Sequence, residues 1–228
     1  RAGAAVTTGV QNTIVGALAG DALTDADFNV AMGYAALSAD TLGSNSTAIG
    51  WSALAAQNFT SATLSYNTAV GFKAGLAVTT GIQNVLIGGL AGDALTDADF
   101  NVGVGLSALG ADTLGSRNVA LGHQTLAAQN FTTATDSYNT AVGFEAGNDI
   151  TTGNQNTLIG GLAGDALTVG YNNVTLGYLA LSADTKGNNS IAIGRGALET
   201  QNFTTATDAN NTAVGNNAGT SVTTGVQN

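Results

Sequence analysis

One five-residue pattern of polar and apolar positions runs through the whole chain. It reads Asn or Ser, then Thr, Val or Ile, then usually a small residue, then an aliphatic, then Gly, as in Asn67-Thr68-Ala69-Val70-Gly71. The closing glycines fall at 16, 33, 50, 71, 88, 105, 122, 143, 160, 177, 194 and 215. Their spacings are 17, 17, 21 and 17, and this set repeats, giving a full period of 72 residues. Leu18 to Val30 recurs letter for letter as Leu90 to Val102. A fixed period of this size marks a stacked array. Cut before each Asn or Ser, the chain gives twelve rungs in three blocks, 12–83, 84–155 and 156–227. Residues 1–228 therefore read as a single repeat array without an independent domain boundary.

Seventeen residues are too few for a helical hairpin repeat, whose period is about 34 or more. A Gly in every rung and β-branched residues just before it also oppose helix. The fold class predicted is all-β, a parallel β-solenoid whose rungs each carry two short strands and two corners. Side chains alternate along a strand, so positions two and four of the pattern share a face. Stacked over the rungs, pairs such as Thr68 and Val70, Val102 and Val104, and Ile191 and Ile193 make two aliphatic or β-branched columns. These columns are expected to be buried against the second strand of the same coil. Position three is mostly small (Ala31, Ala48, Ala69, Gly103, Ala141) and is expected to face outward, where another chain could approach closely. A strand apolar on both faces is normally covered on both, which argues for an oligomer.

Asn at position one predicts a ladder of stacked amides. Gly at position five predicts a corner with positive φ or a crowded backbone. The second strand is expected to begin near Ala36-Leu37, Ala53-Leu54, Ala74-Gly75 and Ala108-Leu109. Twelve parallel rungs at ~4.8 Å give a rod ~58 Å long, and each block advances ~19 Å. The third rung of each block is four residues longer than its neighbours. The extra length lies in 57–63, 129–135 and 201–207 and is expected to leave the corner as three loops in an axial row, often the binding face of a repeat protein.

Composition narrows the partners. The 228 residues include 32 Gly, no Pro and no Cys, so there is no disulfide framework and no thiol chemistry. Only 9% of residues are charged and the net charge is −10. An acidic surface poor in Lys and Arg has no electrostatic footprint for nucleic acid or for an anionic membrane. No run reaches transmembrane length, so the segment is not embedded in a membrane. Residues 1–11 align with Lys73 to Gln83, the tail of a rung, and Asn228 opens another. The chain is thus expected to be cut from a longer fibre.

Asn-Ser-Thr-Ala-Ile-Gly at 45–50 and Asn-Ser-Ile-Ala-Ile-Gly at 189–194 resemble the head repeats of YadA-type trimeric autotransporter adhesins. Asn139-Thr140-Ala141-Val142-Gly143, with Thr-Thr-Gly at 151–153, resembles the related repeats of phage tail fibres and large bacterial surface proteins. The resemblance covers all twelve rungs. It implies a left-handed parallel β-roll, a homotrimer about one axis, and a place at the cell surface or on a virion. It also implies a role in attachment to a surface glycan or protein receptor.

Chemistry is sparse. The single His123 has Trp51 and Arg195 as its block equivalents, which suggests an exposed corner. No nucleophile or acid partner accompanies it, and no enzymatic activity is expected. The richest acidic corner is Asp21, Asp25 and Asp27, repeated as Asp93, Asp97 and Asp99. Calcium takes six to eight oxygen ligands, many from carboxylates, so these six are the candidate metal ligands; the competing reading is a solvated acidic corner. No other cofactor is implied. Asn58-Phe59-Thr60, Asn130-Phe131-Thr132 and Asn202-Phe203-Thr204 fit the glycosylation sequon, a short pattern that abundant Asn and Thr also produce. Phe59, Phe131 and Phe203, together with Tyr34, Trp51 and Phe72 just past the corner glycines, are the candidate binding-surface aromatics; the three loop Phe could instead fold back as anchors. Two other functions fit the architecture less well. A carbohydrate-degrading β-helix enzyme needs a rung that breaks the pattern with clustered acids, and an ice-binding solenoid needs an uninterrupted Thr array.

Overall fold

A computed structural model describes residues 1–228. The chain is all-β. Twelve three-residue strands, from Thr13–Val15 to Thr212–Val214, form one parallel sheet in sequence order. Register follows the rungs, with Thr68 opposite Val85, Ala69 opposite Leu86 and Val70 opposite Ile87. The molecule is a parallel β-solenoid of twelve turns.

The expected second strand is absent from the positions where it was expected to begin. Ala36-Leu37, Ala53-Leu54, Ala74-Gly75 and Ala108-Leu109 lie in turns. There the backbone alternates between right- and left-handed conformations, with positive φ at Ala35 and Leu37 and at Lys73 and Gly75. Such a path cannot make a pleated strand, yet its peptides still bond rung to rung, as Gly75 N–H to Ala91 O and Leu37 N–H to Ala53 O. Short extra strands occur only beside the long rungs, pairing 43–44 with 63–64, 115–116 with 135–136, and 187–188 with 207–208.

The glycine at position five has two reasons to be glycine. Its φ lies at +125° to +142°, outside the range of L side chains. A Cβ on Gly71 would also clash with the carbonyl of Gly88 in the next rung. The only such glycine free of that neighbour is Gly215, in the last rung.

The facing of the strand is the reverse of the sequence expectation. Position three points inward: Ala31, Ala48, Ala69, Leu86, Ala120, Ala141, Leu158 and Ala192 are buried. Positions two and four point outward and are half-buried or exposed. The reason is volume. A single narrow coil packed at crystal-like density favours Ala and Gly on its axis. Where position three is Leu86 the room comes from glycines, since a Cβ on Gly75 or Gly92 would lie 2.9 or 2.7 Å from it.

The rest of the interior is filled by two columns that trade volume. Counting four and seven residues past the corner glycine, the first block reads Gly20 with Leu23, Leu37 with Asp40, Leu54 with Gln57, and Gly75 with Val78. Where the outer member of the pair is aliphatic, the inner one is Gly. A Cβ on Gly20 would sit 2.8 Å from Leu23 Cδ1, and one on Gly92 2.8 Å from Leu95 Cδ1. Where the outer member is Asp or Gln, Leu fills the space. Asp40 and Gln57 are fully buried and bonded to each other at 2.6 Å.

The Asn ladder forms, with a difference in its bonding. Each side-chain oxygen accepts the backbone N–H of the next rung, as Asn84 N–H to Asn67 Oδ1 at 2.9 Å. Most amide nitrogens cross the coil to the closing corner, as Asn67 Nδ2 to Gly81 O at 2.7 Å. Several also reach the amide oxygen of the rung before, as Asn84 Nδ2 to Asn67 Oδ1 at 3.3 Å; Asn118 makes only this second bond, to Asn101 Oδ1 at 3.1 Å. One residue type thus satisfies groups on two sides of a buried interior, where an unpaired polar group would cost about 1–3 kcal/mol. In the long rungs Ser46 and Ser190 are too short to cross, and Gln57 and Gln201 reach them from the far side at 2.9 and 3.1 Å.

Candidate interaction surface

The outward positions of the sheet build one apolar strip. All but five of the exposed large hydrophobic side chains (Val10, Leu18, Leu64, Val169 and Val226) fall on four columns. Two are strand positions two and four, which expose Val15, Met32, Ile49, Ile87, Ile159, Leu176 and Val214 among others. They are flanked by the residue before the Asn (Phe28, Tyr66, Phe100, Tyr138) and by the residue after the corner glycine. At ~3.3 Å per residue and ~4.8 Å per strand this face is roughly 20 Å by 58 Å, a footprint on the order of 1,000 Å². In it, Thr at position two of many rungs and Gln, Asn or Arg before many of the Asn alternate with the apolar side chains.

The column after the corner glycine contains three of the expected binding aromatics. Tyr34, Trp51 and Phe72 are exposed and stacked, at 6.1 Å and 5.1 Å between ring centroids. Lys73 Nζ lies 5.2 Å from the Trp51 ring centre and 5.4 Å from that of Phe72. The stack stops at Gly89, which has no side chain. One block on, His123 stacks on Phe144 at 5.3 Å. His123 is therefore half-buried against a ring rather than a free corner residue, and its Nδ1 has no hydrogen-bond partner.

Phe59, Phe131 and Phe203 are no part of an exposed surface. Each is only 6% exposed. Each backbone N–H donates to a buried carboxylate, Phe59 to Asp40 at 3.1 Å and Phe131 to Asp112 at 3.1 Å. The four extra residues of the long rungs thus do not all leave the coil. Gln57 and Phe59 go inward, and the exposed tips are Thr60-Ser61-Ala62, Thr132-Thr133-Ala134 and Thr204-Thr205-Ala206. Sequence reasoning missed Asp40, Asp112 and Asp184, which organise this insertion; their recurrence at the 72-residue period was the available signal.

Four of the six candidate calcium ligands accept hydrogen bonds from the neighbouring rung. Asp25 accepts from the Thr8 hydroxyl and Asp97 from that of Thr80, both at 2.5 Å. Asp27 and Asp99 accept the N–H of Val10 and Ile82 at 2.7 Å. Asp21 and Asp93 stand at a different corner, four and six residues earlier along the chain. No three acid or histidine side chains come close enough together to hold a metal ion.

One acidic group is perturbed more than the rest. Burial raises Asp165 to about 6, and the carboxylates of Asp149 and Glu145 push it the same way. Its Oδ1 has no hydrogen-bond partner. In the preceding block burial also raises Asp93, but Lys73 opposes the shift. A carboxyl of this kind can serve as a general acid when it lines a concave site; the surface here has no pocket.

A second ladder runs beside the loops. Thr24 Oγ1 donates to Thr41 O at 3.1 Å, and Thr41 Oγ1 donates to Asn58 Oδ1 at 3.1 Å. The same Thr-Thr-Thr-Asn order recurs at 79, 96, 113 and 130, and at 151, 168, 185 and 202. These hydroxyls are directed to the neighbouring rung. Compared with known proteins, the chain matches no family model, no curated protein and no solved structure.

Proposed function

We propose that this chain is a rod-like segment of an extracellular attachment fibre, on a cell surface or a virion, assembled as a parallel homotrimer. The observation that carries the reading is the apolar strip. The sheet face that carries it has a footprint of roughly 1,000 Å² per chain, comparable to the ~800 Å² that each partner contributes to a standard stable interface. Copies aligned in parallel bring like rungs to like heights along the whole ~58 Å rod. The Ala column inside the coil does not take part, so the assembly is built on positions two and four and their aromatic flanks.

Attachment belongs to what the strip leaves free. The three loop tips repeat every ~19 Å along the axis, and three copies present them in parallel rows. Weak contacts to a surface glycan or protein receptor then add through multivalency. The test replaces Ser61-Ala62, Thr133-Ala134 and Thr205-Ala206 by Gly-Ser within the full fibre. Attachment to the target surface should fall at least tenfold with thermal stability unchanged. Full attachment with all three tips replaced would make the segment a spacer.

A further inference from the structure

We propose that Asn58, Asn130 and Asn202 are N-linked glycosylation acceptors, one on the long rung of each block. The proposal rests on the extracellular reading above and adds to it a modification of the loop row.

The sequon alone does not select these three. Asn173 and Asn188 also carry it, but both are buried, and their amide nitrogens donate to Gly187 O and to Asp208 Oδ1. Asn210 carries it too, with its amide spent on Asp208 O at 3.0 Å. Asn45 is half-buried, and its block equivalents, Arg117 and Asn189, have no sequon. Only the loop sequons recur in all three blocks. Asn58, Asn130 and Asn202 are all exposed, and so are Thr60, Thr132 and Thr204 at the third place of the motif.

The hydrogen bonding of these residues suits the chemistry. Their side-chain oxygens accept from Thr41, Thr113 and Thr185 at 3.1, 3.0 and 3.1 Å. Their amide nitrogens donate to no protein group. N-glycosylation forms a bond from Nδ2 to the anomeric carbon of a sugar. The carbon–oxygen bond to phosphate in an activated glycosyl phosphate donor breaks, the phosphate leaves with the electron pair, and Nδ2 loses one proton. No atom is oxidised or reduced. Oδ1 keeps its lone pairs, so the Thr ladder survives the modification. The Phe between Asn and Thr is buried and fixes the loop, holding Nδ2 outward.

The three loops lie in different peptide contexts, Asn-Phe-Thr-Ser-Ala-Thr-Leu, Asn-Phe-Thr-Thr-Ala-Thr-Asp-Ser and Asn-Phe-Thr-Thr-Ala-Thr-Asp-Ala, so mass spectrometry separates them. Peptide mapping of the fibre isolated from its native source should find a sugar on Asn58, Asn130 and Asn202. A Thr60→Ala variant made in that source should lose the Asn58 sugar alone, because the acceptor amide and its bond from Thr41 remain. Unmodified Asn at all three loops overturns the proposal. So does sugar on the loop hydroxyls that persists in an Asn58→Gln variant. Sedimentation of rod produced without glycosylation enzymes tests the trimer separately, so either reading can fail alone.

Discussion

The two faces of the same three-residue strand obey different rules. Inward, the third position is Ala in most rungs and every side chain from Ala31 to Ala192 is buried. Outward, positions two and four hold Val, Ile, Leu, Met and Thr, several more than one-third exposed. Both faces are apolar, but only the inner one is limited by the width of the coil. Small residues therefore mark most of the inside of this solenoid, and bulky ones mark its outer face.

Overpacking the inner face should have the largest effect. Ala141→Leu places a large side chain opposite Leu158 in the next rung, and an insertion of this kind into a packed core costs about 1–3 kcal/mol or more. The same change one residue on, Val142→Leu, faces outward and should cost less than about 0.5 kcal/mol. Chemical denaturation of each variant measures the difference.

The next effect sharpens the same contrast in the opposite direction. Thr175 is the one hydroxyl at position three, fully buried with Oγ1 unpartnered. It lies between Leu158 and Ala192. Thr175→Val keeps the shape and removes the unpaired group, so it should raise stability by about 1 kcal/mol.

A smaller effect comes from the block junctions, which differ in charge. Lys73 faces Asp93 in one; Glu145 stands at the position of Lys73 in the other and faces Asp165 with Asp149. Asp165 is raised from its ordinary 3.8 to about 6. The folded chain therefore holds a proton there that the unfolded chain has released between those values, and stability falls as pH rises through that window. The melting temperature should drop between pH 3.8 and about 6 relative to an Asp165→Asn variant, which removes the titrating group. Glu145→Lys should shrink the drop by restoring the charge pattern of the other junction.

Much of this was legible in the sequence. The 72-residue period fixed the rungs, the Asn ladder and the corner glycines, because each needs one residue type at one place. The facing of the strand was not legible from alternation, which separates two faces but does not say which is inside when both are apolar. Side-chain size held the answer, together with the alternation of Gly20 and Leu37 against Leu23 and Asp40. The missing second strand was hidden for a related reason. Ala36-Leu37 looks like a strand start by hydrophobicity, but its equivalent Gly at 75 signals a left-handed backbone, and Leu37 shares it at φ 52°. Of the candidate surface, Tyr34, Trp51 and Phe72 were visible as aromatics beside a corner. The burial of Phe59 depends on Asp40, nineteen residues away in the previous rung, and no local pattern carries that.

The smallest effect on folding, and the largest on assembly, should come from charging the outer face. Ile49→Lys combined with Ile159→Lys leaves each chain within about 0.5 kcal/mol of its stability but places unpaired charge in the proposed interface. The most direct measurement is sedimentation of the unmodified chain at micromolar concentration beside this variant. The account predicts about three times the 22.4 kDa chain mass for the unmodified rod, and a single-chain mass for the variant. A folded rod that sediments as one chain with its apolar strip uncovered would contradict it.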